Sequence, residues 1–64
     1  MSIQVSSMNA MLLIQDNQAV LAAKLVGKAE SAADAAHLTA QVLDMCTKEQ
    51  AAEFRDALAA ETQS

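Results

Sequence analysis

Proline, tryptophan and tyrosine are absent from this chain, and glycine, cysteine, histidine and phenylalanine occur once each, as Gly27, Cys46, His37 and Phe54. Each shortage excludes something. Without proline and with a single glycine, the chain holds almost nothing that would interrupt a helix. A lone cysteine forms no internal disulfide, and Cys46 with His37 falls short of the four ligands of a structural zinc site. Eight acidic side chains against four basic ones, with no aromatic stacking platform, leave no stripe for nucleic acid. Gly-rich phosphate loops, HExxH, CxxC and GxSxG patterns are also missing, so the sequence carries no catalytic signature and no cofactor motif.

What is present is a helix-forming composition. The 64 residues are 53% hydrophobic and include fifteen Ala and six Gln, residue types that lose little on entering a helix. The length fits one small soluble domain spanning 1–64, which by itself hides only roughly 60% of its unfolded surface. With disulfide and metal set aside, a partner chain is the remaining support. The net charge of −4 is uneven, about +1 over residues 1–28 and −5 over 29–64, and the acidic part suits either plain solvation or a basic partner surface.

Residues 8–26 are apolar enough to raise the question of a membrane span, but Gln15, Asp16, Asn17 and Gln18 would sit at its centre. No Lys or Arg precedes Met11, and the run Ala10–Ile14 is too short for the apolar region of a signal peptide. A cytoplasmic location with a reduced thiol is the expectation.

Alternation at Ile3 and Val5 suggests an extended lead-in, ended by Ser6 or Ser7 as a helix cap. Apolar periodicity then predicts one helix over about 7–26, with Gly27 at a left-handed position beyond its end. A short strand at Met11–Ile14 followed by a turn at Asp16-Asn17 is the alternative, but flanking Ala, Gln and Met favour helix. Ser31 and Asp34 have capping-box spacing and open a second helix over about 31–46, whose stripe is Ala35, Leu38, Val42 and Met45. Thr47 and Gln50 repeat that spacing, which allows a third helix over about 48–61 carrying Ala51, Phe54 and Leu58. Against a break there, Asp44 and Lys48 would pair at i, i+4 if the second helix ran on through Thr47. Residues 62–64 are expected to fray. The fold class is thus all-α, a helical hairpin or small three-helix bundle completed by another chain.

On a helical wheel, residues 8–26 form an apolar face about 200° wide, nearly double what a surface helix needs. Leu13 and Val20 fall outside even that face, so the run Met11-Leu12-Leu13-Ile14 surrounds the helix. Later segments rich in alanine cannot cover such a perimeter, and leaving four or five large side chains wet forgoes about 1.5–3 kcal/mol each. The expected partner interface is therefore Met8, Met11, Leu12, Leu13, Ile14, Val20, Leu21 and Leu25, and the expected internal core is Leu38, Val42, Met45, Phe54 and Leu58. Gln15 and Gln18 lie within the broad face, either setting register or reaching water at its edge.

His37 is the one group able to move a proton near neutral pH, yet its wheel position beside Gln41 and Asp44 is the polar side. Cys46 lies on the apolar side, as a small buried hydrophobe would. Met8, Met11 and Met45 suit core filling, or an adaptable binding surface.

The uncharged, serine-bearing start followed by Gln- and Ala-rich helices is similar in composition to small components and chaperones of bacterial type III and flagellar export systems. That likeness extends no further than residue 30 and carries over no residue role. The functional expectation is a non-enzymatic protein–protein interaction module, an adaptor, chaperone or regulator, binding a protein partner through the first helix. The alternative is a structural, self-assembling subunit, a homo-oligomer of dimer size or larger and a candidate component of an export assembly. No membrane span and no small-molecule substrate are expected.

Overall fold

The computed structural model describes residues 7–62, and everything described is helix or short connection. Four helices follow one another: α1 (Ser7–Gln15), α2 (Ala19–Gly27), α3 (Ala32–Met45) and α4 (Lys48–Thr62). The extended lead-in expected at Ile3 and Val5, a cap at Ser6 and the fraying of 63–64 lie outside the described residues. Hence the all-α class holds, but the molecule is neither a hairpin nor a three-helix bundle.

The reason is a break inside the segment expected to form one helix over 7–26. Asn17 turns to a left-handed conformation, with φ of 59°, and among the described residues it is the one non-glycine with positive φ. Around it the backbone closes a Schellman motif: the Asn17 N–H donates to the Ile14 carbonyl at 2.9 Å and the Gln18 N–H to the Leu13 carbonyl at 2.8 Å. Asparagine tolerates this region better than other residues with a Cβ. The chain starts α2 at once, its first backbone bond running from the Ala22 N–H to the Gln18 carbonyl at 3.0 Å. Gly27, the residue expected to be left-handed, is instead the last residue of α2 and has no positive φ.

The other two boundaries follow local capping chemistry. Ser31 Oγ accepts from the Asp34 N–H at 3.1 Å and starts α3. At Thr47 the capping box is complete, with the Gln50 N–H donating to Thr47 Oγ1 and the Thr47 N–H to Gln50 Oε1, both at 3.1 Å. That box ends the question of a continuous helix: α3 stops at Met45, so Asp44 and Lys48 do not share a helix.

Gln50 does more than cap. Its Nε2 donates to the Ile14 carbonyl at 2.9 Å and to Asn17 Oδ1 at 3.3 Å, fastening the start of α4 to the end of α1. The same amide therefore fixes a helix start and holds the bend.

α2 packs against all three other helices and most extensively against α4. Its buried residues, Ala19, Ala22, Ala23 and Val26, keep the i, i+3, i+4, i+7 spacing of a single stripe. Alanines along that stripe let neighbouring backbones come close. Around it sit Ala10 and Ile14 from α1, Leu38 and Val42 from α3, and Phe54 from α4. Leu13, Leu25, Met45, Cys46 and Leu58 are half-buried at the edge of this core. The radius of gyration, 10.6 Å, matches the roughly 10.7 Å typical of a compact chain of this length, so the four helices close on themselves.

Two stability changes are expected. Gln50→Ala removes half a capping box and the tie to Ile14, and should cost about 1–2 kcal/mol in urea unfolding. Gly27→Ala should stabilise by about 0.5–1 kcal/mol, because the position is helical. A Cβ built there meets the Glu61 side chain at an ordinary 3.6 Å.

Candidate functional site

Breaking the first segment changes which of its apolar residues remain outside. In α1, Ala10 and Ile14 point inward on one narrow stripe, and Ile14 is 1% exposed. Ile14 therefore cannot present its side chain to a partner, contrary to the expectation from the wheel; the bend turns it against the molecule's own helices. Leu13 and Leu25, also expected at the interface, pack against the core and are half-buried. Because the wheel treats 7–26 as one axis, it places Leu13 on the wet side, whereas each short helix has its own inward direction.

Five of the expected interface residues do lie in water: Met8 (69% exposed), Leu12 (55%), Leu21 (46%), Val20 (42%) and Met11 (36%). Met8, Met11 and Leu12 have i, i+3, i+4 spacing, so they share one face of α1. With Ser7 and Gln15 they line a shallow depression along the helix. A neighbouring depression is bounded by Asn9, Leu12, Leu13, Gln15 and Asp16. Val20 and Leu21 open the outer side of α2. Within both helices Lys24 is the one charged side chain, with Asp16 in the connection between them, while the six acids of α3 and α4 stand elsewhere. Gln15 and Gln18 are exposed, as the edge-of-face alternative required.

Of the expected core, Leu38, Val42 and Phe54 are buried, and Met45 and Leu58 are half-buried against them. Phe54, the single aromatic, is 0% exposed. Ala10, Ile14, Ala19, Ala22, Ala23 and Val26 join them as core residues that the expected set omitted. The signal for the alanines was present in their i, i+3, i+4 spacing.

His37 and Asp44 are exposed on α3. Gln41, between them, is half-buried and its Oε1 has no hydrogen-bond partner. Among the described residues, no group of three or more His, Cys, Asp or Glu side chains is gathered as metal ligands would be. Cys46, at the C-terminal cap of α3, is a half-buried free thiol, and burial pushes its pKa up. A raised pKa leaves less thiolate at neutral pH, which makes the sulfur a poorer nucleophile. Among the described residues, no helix is long and apolar enough to cross a membrane.

Comparison with protein-family models, curated proteins and solved structures finds no match for this chain.

Neighbouring leucines give a direct check on this geometry. Leu13→Asp should cost about 1–3 kcal/mol in chemical denaturation, since it sets a charge against the core, whereas Leu12→Asp should stay within about 0.5 kcal/mol of wild type. Alkylation of Cys46 should be slower at pH 7 than that of a small free thiol and should rise at a higher pH; equal rates and equal profiles would contradict its burial.

Proposed function

We propose that this chain is a non-enzymatic protein–protein interaction module that acts as an adaptor, chaperone or regulator by docking a protein partner on the outer faces of α1 and α2. The observation behind this reading is the exposure of Met8, Met11, Leu12, Val20 and Leu21 in a fold that has a separate buried core. Soluble domains scatter single apolar residues over their surfaces, but three large ones on one turn-and-a-half of helix mark a contact surface. Covering each recovers about 1.5–3 kcal/mol, enough in sum to outweigh part of the cost of association. The unbranched thioethers of Met8 and Met11 adapt to more than one apolar shape.

A near-uncharged α1 favours an apolar partner segment over a charged one, with helix-in-groove packing as the natural geometry. Acidic side chains on α3 and α4, outside the contact, keep the rest of the surface solvated and repel acidic competitors.

Leu12→Asp combined with Val20→Asp is the decisive variant, because both side chains are exposed and neither belongs to the core. Far-UV circular dichroism should match wild type, while proteins retained from native lysate by immobilised wild type should be lost from the variant by at least about tenfold. Light scattering on the purified chain separates a foreign partner from a second copy. Identical retention and identical mass for the two proteins would overturn the assignment of this surface.

A further inference from the structure

We propose that the Asp16–Gln18 bend is a domain-exchange hinge: straightening it joins α1 and α2 into one helix over 7–27 and seats α1 on the α2–α3 face of a second copy of this chain. The inference rests on the bend and not on the exposed face of α1.

The sequence across the bend is compatible with a helix. Asp16, Asn17 and Gln18 contain no glycine or proline, so nothing in their residue types forbids a helix across the bend. Short connections under strain are the ones that open into exchanged dimers. Here the strain has a location, the left-handed φ of 59° at a residue bearing a Cβ.

Straightening also offers the backbone better partners. In the bent chain the Gln18 side chain makes no cap bond to the first turn of α2. In a continuous helix the amides of Ala19, Val20 and Leu21 donate to the carbonyls of Gln15, Asp16 and Asn17. The place that α1 vacates is already shaped for it, since Ala10 and Ile14 are buried in the closed molecule and α1 packs on α2 and α3. An incoming α1 of identical sequence remakes those contacts, so exchange sacrifices little packing.

What holds the closed form is the Gln50 amide, which reaches both the Ile14 carbonyl and Asn17 Oδ1 across the bend. The second of these contacts depends on the bent geometry. Gln50 is therefore the latch and Asn17 the spring.

Position 17 can be tuned in opposite directions. Alanine there strains the bend and favours the straight helix, whereas glycine relaxes the bend and disfavours the helix. Two hinges open per dimer, so a change of about tenfold at each multiplies to about a hundredfold in the association constant.

Wild type, Asn17→Ala and Asn17→Gly are unfolded in guanidinium, refolded at high concentration, diluted, and analysed by size-exclusion chromatography with light scattering and circular dichroism. The expected dimer fraction is highest for Asn17→Ala, intermediate for wild type and lowest for Asn17→Gly, with dimers that outlast dilution because separation requires opening α1 from its slot. Equal dimer fractions for the two variants, or dimers that dissociate as fast as they are diluted, overturn the hinge. Should Asn17→Ala fail to refold, wild type must still exceed Asn17→Gly, and equality of those two overturns it as well. Leu12→Asp with Val20→Asp leaves exchange intact, which keeps failure of the hinge separate from failure of the docking face.

Discussion

One amide group, on Gln50, holds together parts of the chain that nothing local would bring into contact. Its oxygen accepts from the Thr47 N–H, and its nitrogen donates to the Ile14 carbonyl and to Asn17 Oδ1. The first contact starts α4; the others keep α1 folded back against the molecule. Everything about the outer surface follows from that second role, since it decides that residues 7–26 form two short helices with separate inward faces. A nine-residue helix is marginal in water by itself, so α1 and α2 exist because they are packed, and the packing exists because the bend is held.

The interior that results is built from small parts. Four of its nine buried hydrophobic residues are alanines, three of them on α2. An alanine removes little area from water, but it lets helix axes approach closely, and α2 consequently touches every other helix. Phe54, Ile14, Val26 and Val42 are the largest of its fully buried side chains. The remaining large side chains of α1 and α2 that the core does not take in point outward. Met8, Met11, Leu12, Val20 and Leu21 are left in water, and that exposure is the physical basis of the docking reading.

The bend also separates the two kinds of association proposed for the chain. A partner laid over the outer face of α1 leaves the closed molecule unchanged, whereas exchange of α1 takes the molecule apart at Asn17 and rebuilds it from two copies. Both use the same helix, one through Met8 and Leu12, the other through Ala10 and Ile14. Since these residues lie on opposite sides of α1, one face can change without the other.

Some of this was legible in the sequence. The all-helical class, the caps at Ser31 and Thr47, the α3 stripe of Leu38 and Val42 and the exposure of Met8 and Val20 depend on residue type and on neighbours three or four positions away. Composition and spacing suffice for such features. The bend left only a weak signal, the Asp16-Asn17 pair that suits a turn, because Asp, Asn and Gln are also acceptable inside a helix. Gly27, the residue whose type suits a left-handed turn, remained helical. That Ile14 faces inward, against the expectation from the wheel, was decided in the tertiary structure, where its carbonyl accepts a hydrogen bond from a glutamine 36 positions further along the chain. Helix propensity is summed locally, while the choice between one long helix and two short ones is made by a contact that forms only after α4 has returned to lie beside α2.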